Sequence, residues 1–209
     1  MTEKLIIKWY GHSCFSVSYD GYTLVLDPYE DNRIPGLPSL RLRAHGVLCS
    51  HDHYDHNNRS VVEILPFEGA RPFNIKKVDC FHDSVGGKKR GKCTIHILSA
   101  GGLKVAHFGD IGCELTAKQL DVIGLIDVAM LPVGGHYTVE PLEAQALGDM
   151  TAAKIIIPMH YRTDKFGFAE VAHINEYIAI SDDCEFYESN EFILTEETPS
   201  QTAILQYNP

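Results

Sequence analysis

No run of about 18 consecutive apolar residues occurs in the chain, and Met1 to Tyr10 holds no apolar stretch behind a basic patch. Neither export nor membrane insertion is therefore expected. Basic residues are scarce as well: 18 Lys and Arg stand against 28 Asp and Glu, a formal charge of −10. That balance gives no broad attraction for phosphate backbones, so nucleic acid is a disfavoured partner. Bound divalent cations would still make a local positive pocket within an acidic surface. Six cysteines, at 14, 49, 80, 93, 113 and 184, lack paired spacing. A disulfide framework is not expected, and a reducing cytoplasm is the default compartment. Cys49, Cys80 and Cys113 lie close to the chemical residues described below and read as core packing.

With 44% hydrophobic and 22% charged residues and no low-complexity tract, the composition is that of a soluble globular protein. A single domain over residues 1–209 is expected at this length.

The first third reads as a β-meander: Leu5–Trp9, Cys14–Tyr19 and, after an Asp20-Gly21 turn, Thr23–Leu26. Asp27 to Ala44, with Pro28, Pro35 and Pro38, reads as a loop. The apolar run Gly46–Cys49 then delivers the chain to His51, and Asn57 and Asn58 are expected to cap a helix over Ser60–Leu65. Phe73–Phe81 and Cys93–Leu98 form a strand pair around a Gly86-to-Gly91 loop, followed through Gly101-Gly102 by Leu103–Phe108. The second half has an α/β rhythm. Helices are expected near Thr116–Ile123, Pro141–Thr151 and Ala169–Ile180, and strands at Asp127–Leu131 and Lys154–Pro158. Short strands return at the end, at Glu185–Tyr187, Glu191–Leu194 and Thr202–Tyr207. Two sheets flanked by helices fit this order better than one parallel sheet.

The run His51-Asp52-His53-Tyr54-Asp55-His56 carries the chemistry. Imidazole and carboxylate are the ligands that zinc and similar borderline cations accept. His51 and His53, two apart, can turn the same way and share one cation, while Asp55 and His56 enter the next turn and can reach a second. One run cannot close both coordination spheres, so further ligands are required. His82, Asp110 and His160 each follow a predicted strand, where α/β folds gather functional groups. Taken singly, the two histidines could be core residues and Asp110 a turn cap. Taken with the run, they are the missing ligands, and Asp110 is the natural bridge because a carboxylate offers one oxygen to each of two cations.

The HDHYDH run, Phe81-His82-Asp83, Gly109-Asp110 and Pro158-Met159-His160-Tyr161 resemble the successive metal motifs of the metallo-β-lactamase superfamily. Gly11-His12-Ser13-Cys14-Phe15, Leu26-Asp27-Pro28 and Pro132-Val133-Gly134-Gly135 resemble its small single-domain hydrolases related to L-ascorbate-6-phosphate lactonase. The resemblance covers residues 5 to 165 and implies an α/β fold, a four-layer αββα sandwich with metals at the edge between the sheets. It also implies that His51, His53 and His82 hold one metal, Asp55, His56 and His160 the other, and Asp110 both. Zinc is the first expectation, with manganese or iron compatible with the same donors. Two such cations about 3.5–4 Å apart lower the pKa of a shared water to about 7, which makes hydrolysis the expected reaction.

Asp110, Asp55 and His12 are the residues expected to act in the chemistry. His12 fits a partner of the metal ligands, a substrate donor or a buried structural histidine; Asp27 fits either a ligand-orienting carboxylate or a cap on the proline turn. His136, after two glycines, and Arg162, after His160, are weaker substrate-binding candidates. Lys88-Lys89-Arg90 reads as a solvated hairpin tip that, on the rim of a cleft, would favour acidic substrates. The expected partner is a small, anionic-leaning lactone, ester or phosphodiester, with specificity in the loops Tyr29–Arg43 and Gly134–Glu140. A homo-oligomer is left open. The competing readings are a metallo-nuclease, disfavoured by the acidic charge; a di-iron oxidoreductase, disfavoured by His53 where that branch carries glutamate; and a metal-binding module without turnover.

Overall fold

The computed structural model describes residues 3–207. The meander is present as β1 (Leu5–Trp9), β2 (Phe15–Tyr19) and β3 (Tyr22–Leu26), paired antiparallel in sequence order. Asp20 and Gly21, both at positive φ, form the tight turn whose twist matches a two-residue hairpin. The following loop is interrupted by β4 (Leu42–Ala44), and β5 (Gly46–Leu48) then lies parallel to β3.

The helix expected over Ser60–Leu65 is not formed. A single 3-10 turn at Arg59–Val61 leads into β6 (Val62–Ile64), which pairs parallel with β4. The expected caps are committed elsewhere: Asn58 makes no side-chain cap bond, and Asn57 joins Asp52 and Arg59. Val61, Val62 and Ile64 are β-branched and favour the extended chain. The histidine run therefore sits in turns between strands, not at the start of a helix.

A second sheet begins with the antiparallel strands β7 (Asn74–Phe81), β8 (Lys92–Ala100) and β9 (Leu103–His107). Helix α1 (Ala117–Ile123), capped by Thr116, leads to β10 (Val128–Pro132), and α2 (Pro141–Met150) leads to β11 (Ile155–Met159). Strands β9, β10 and β11 run parallel, and every residue of β10 is buried, as a strand covered on both faces requires. The expected helix Ala169–Ile180 shrinks to α3 (Ile174–Ile178). Its first residues are drawn off by the backbone bonds Ala172 N–H to Gly134 O and Arg162 N–H to Ala172 O. Strands β12 (Cys184–Tyr187), β13 (Glu191–Leu194) and β14 (Gln201–Leu205) complete the fold. Their places split: β13 closes the five-stranded sheet β13-β1-β2-β3-β5, and β14 and β12 extend the seven-stranded sheet β12-β14-β11-β10-β9-β8-β7.

The αββα sandwich is thus present with slim helical layers, α2 being the longest helix at 10 residues. Among the described residues no helix is long and apolar enough to cross a membrane, and all six cysteines are free. The sheets face each other across a core that includes Leu5, Ile7, Val17 and Leu26 on one side and Leu98, Val105 and Met130 on the other. Two histidines, His96 and His107, opposite each other on β8 and β9, bond across that core. His96 Nε2 reaches Cys49 O at 3.1 Å and His107 Nε2 reaches Ser13 O at 2.8 Å. A carbonyl only accepts, so each Nε2 carries the proton.

Trp9, 1% exposed, packs against Phe15, Tyr161, Phe166 and Tyr207 at ring separations of 5.5–6.5 Å. Its indole N–H donates to His12 O at 3.0 Å, joining the core to the site. Trp9→Ala is expected to cost about 3–5 kcal/mol of stability. The urea midpoint followed by far-UV circular dichroism reads this directly, and a loss below about 1 kcal/mol would show that this cluster does not anchor the fold.

Candidate metal centre

Strand ends set the site. Asp27 follows β3, His82 follows β7, and His160 follows β11, while His51 and Asp110 lie three residues beyond the ends of β5 and β9. All converge on one edge of the sandwich. His12 joins them from the turn between β1 and β2, held by the bond from His160 N–H to His12 O at 3.3 Å.

Asp110 stands at the centre, 2% exposed. Its Oδ2 lies 3.0 Å from His56 Nε2, 3.1 Å from His160 Nε2, 3.3 Å from His82 Nε2 and 3.9 Å from His51 Nε2. Donor atoms of His51, His53 and His82 lie within 4.8 Å of one another, and so do those of His12, Asp55, His56 and His160. The run and the distant strand ends are therefore brought together in two groups on either side of Asp110. His12 lies inside the second group, its Nε2 3.4 Å from Asp55 Oδ2.

Behind the cluster, Asp27 is fully buried and adopts φ 46. It accepts Ser50 N–H at 2.7 Å, Ser50 Oγ–H at 2.5 Å and His56 Nδ1–H at 2.9 Å. Ser50 Oγ, having given its proton to Asp27, accepts His51 Nδ1–H at 2.9 Å. One carboxylate thus orients His56 directly and His51 through a hydroxyl, leaving both Nε2 atoms to face the cluster. A second device fixes Asp110. His107 Nδ1, the acceptor nitrogen of a ring whose Nε2–H is engaged, receives Gly109 N–H at 3.2 Å. Gly109 adopts φ +54, and a Cβ there would stand 2.4 Å from Ser50 Cβ and 2.8 Å from Cys93 Sγ. Only glycine allows this approach.

Burial works against charge throughout the site, yet the carboxylates stay ionised. The His160 and His56 rings overcome burial and hold Asp110 well below the usual carboxylate range, and His107 and His56 bring Asp27 down to about 2. Burial and His56 lower His51 to about 3, and burial and His160 lower His12 to about 4, so both rings are neutral with lone pairs to give at pH 7. His56 goes the other way: burial disfavours its charge, but Asp110 and Asp55 raise it well above the ordinary value. The cluster recruits positive charge.

These features fit a metal. His12, His51, His56 and His160 each present a buried Nε2 without a hydrogen-bond partner, and Asp110 presents a buried unpartnered Oδ1. Buried polar atoms are rarely left unpaired, and several such atoms converging on one space mark a place for a cation.

Two expected substrate contacts lie outside the cluster. His136 is exposed at φ 53, its ring against Tyr137 at 4.4 Å. Arg162 Nε donates to Val171 O at 2.9 Å, which commits that side chain to the 162–173 loop. Sequence reading missed Ser50, His107, Tyr137 and Phe168. Ser50 and His107 had a signal, a polar residue directly before the histidine run and another two positions before Gly109-Asp110; the two aromatics had none.

A two-sheet sandwich with a His/Asp cluster at its strand-end edge defines a metal-dependent hydrolase of the metallo-β-lactamase type. The chain belongs to that superfamily: the family described as the beta-lactamase superfamily domain matches residues 6–160. It is 30% identical to a UPF0173 metal-dependent hydrolase of Pyrobaculum neutrophilum, over 75% of this chain and 84% of that one. It is 25% identical to another from Hyperthermus butylicus, over 82% and 90%. A crystal structure from Thermotoga maritima, a candidate Zn-dependent hydrolase of the metallo-β-lactamase superfamily, superposes with a TM-score of 0.75 at 32% identity, covering 96% of this chain and 98% of that one.

Asp27→Asn keeps the shape and tolerates the positive φ, but it removes the charge that aligns His56 and His51. Metal affinity, read by competition with a chelating dye, is expected to fall about 10–100-fold. Unchanged affinity would mean that the ligand rings are oriented by packing alone.

Proposed function

We propose that the chain hydrolyses a small lactone, ester or phosphodiester with two divalent ions, zinc foremost, held by the cluster. His51, His53 and His82 would hold one ion, Asp55, His56 and His160 the other, and Asp110 would serve both. The observation that carries this reading is the convergence of four imidazole Nε2 atoms within 3.9 Å of one carboxylate oxygen, with two separate donor groups flanking it. Divalent ions bound there supply a nucleophile at neutral pH by lowering the pKa of water, and they polarise the oxygen of the bond to be cleaved.

The protein's own groups do the rest. Asp27 and Ser50 engage Nδ1–H of His56 and His51, so in the neutral form that a cation requires the free nitrogen of each ring is Nε2, facing the centre. His12 stands beside Asp55, its Nε2 3.4 Å from Oδ2, and completes the second donor group. Tyr137 and Phe168, with ring centres 6.3 Å apart, form an aromatic wall beside His160 and His12, which limits water around a small organic substrate. With a net charge of −10, nothing in the composition favours a polynucleotide over a small molecule.

Metal analysis of protein purified without chelator is expected to give two ions per chain. Asp110→Ala should lower that content to one or fewer and reduce hydrolysis of a lactone, ester and phosphodiester panel by at least about 1000-fold, the scale of losing a principal stabilising group. His51→Ala and His160→Ala should each release one ion. Absence of metal as purified and after incubation with zinc, manganese and iron would refute the proposal.

Chelation should also lower the melting temperature, because ions bound only by the folded state stabilise it by mass action. Differential scanning calorimetry with and without chelator measures this shift, and identical melting temperatures would show that the buried donors hold no ion.

A further inference from the structure

A cavity of about 1170 Å³ has in its wall Asp83, the residue after His82, together with Lys89, Arg90, His136 and Tyr137. The loop that carries Arg90 is built around a buried carboxylate. Asp83, 3% exposed and next to His82, accepts backbone N–H groups from Val85 at 2.9 Å, Gly87 at 2.8 Å, Lys89 at 2.9 Å and Arg90 at 2.8 Å. Four bonds to one side chain make this a shaped element and not a solvated tip. The expectation for Lys88-Lys89-Arg90 therefore divides: Lys88 and Lys89 are exposed, but Arg90 is half-buried.

The Arg90 guanidinium is held from two sides. Its Nη2 donates to His136 O at 3.0 Å, and its Cζ lies 5.4 Å from the centre of the Tyr137 ring. The same ring stands 6.5 Å from that of His160. Unlike Arg33 and Arg41, which pair with Glu30 and Asp31, Arg90 has no carboxylate partner among the described residues. A fixed, half-buried guanidinium without a counter-charge has donors to offer in a planar fork suited to a carboxylate or phosphate. Glu140 and Glu143, also in the cavity wall, are occupied at the start of α2, where Glu140 accepts His136 N–H and Glu143 accepts Glu140 N–H.

We propose that Arg90, held by the Asp83-centred loop and stacked on Tyr137, is the substrate-specificity residue of this hydrolase and binds a carboxylate or phosphate group remote from the scissile bond. The proposal rests on the hydrolytic reading of the metal centre for the meaning of substrate, but anion binding at Arg90 stands on its own geometry. It moves the anion contact from Arg162, which is tied to Val171, to a residue 72 positions earlier in the chain.

Two measurements test it. In metal-free full-length protein, titration calorimetry with inorganic phosphate is expected to show binding that weakens at least tenfold in Arg90→Ala. Arg90→Gln, which keeps a donor for His136 O but removes the charge, should weaken it equally, and Arg90→Lys should retain part of it. In metal-loaded protein, KM for an ester or lactone bearing a carboxylate or phosphate should rise at least tenfold in Arg90→Gln with kcat within about twofold, while a matched neutral substrate is unaffected. Matched carboxylate and phosphate substrates then identify which anion is preferred. No phosphate binding by the wild type at millimolar concentration, equal affinity in wild type and Arg90→Gln, or an equal rise in KM for charged and neutral substrates would overturn the proposal. The phosphate readout needs neither metal nor turnover. A protein that binds phosphate through Arg90 yet hydrolyses nothing keeps this inference and loses the hydrolytic one.

Discussion

The carboxylate of Asp27 is the constraint on which the site depends. An ionised group with no exposed surface costs several kcal/mol unless its oxygens are fully engaged. Here they are, by Ser50 through backbone and hydroxyl and by His56. Each bond that satisfies Asp27 also fixes something else. The backbone bond pins the start of the histidine run to the end of β3, the hydroxyl bond turns Ser50 toward His51, and the imidazole bond selects the His56 tautomer. The charge that is expensive to bury is thereby the organiser of two rings that face the centre.

The same logic recurs one layer deeper. His107 gives its Nε2–H to Ser13 on the opposite sheet and takes Gly109 N–H at its other nitrogen. Sheet spacing and the turn that carries Asp110 are therefore coupled through one ring. His96 makes the parallel tie to Cys49, two residues before His51. Both sheets are thus held to the loops that form the cluster, and the donors meet without any long helix to brace them. Preorganisation of this kind is what lets a site hold cations without rearranging its ligands.

Much of this was readable in the chain because the chemistry is local in type and regular in placement. Imidazole and carboxylate crowded between His51 and His56 have few structural uses, and the distant residues of the cluster announced themselves by following strand-like runs. Other features were hidden for identifiable reasons. Asn57-Asn58 looked like a helix cap, but their side chains found partners in Asp52, Arg59 and Tyr29, and the β-branched residues beyond paired with β4. The helix expected at Ala169 was shortened by backbone bonds to Gly134, an interaction across 38 positions that no local pattern encodes. The place of His12 within bonding range of Asp55 depends on the approach of the β1–β2 turn to His160, again a tertiary fact.

The structure separates what must be rigid from what can vary. The residues of the cluster lie in turns that follow strands and are buried or half-buried, while the groups that would choose a substrate, Arg90, His136 and Tyr137, lie on loops. These loops are not independent of the centre: Asp83, on which the Arg90 loop is built, follows directly on His82 of the cluster. Arg90 in turn grips the carbonyl of His136, whose segment returns through Gly134 to the His160 backbone, where a Cβ on Gly134 would stand 2.0 Å from His160 O. A cavity wall built this way can change its specificity by replacing one loop residue while the residues of the cluster stay in place, which is how one hydrolytic centre can serve many substrates.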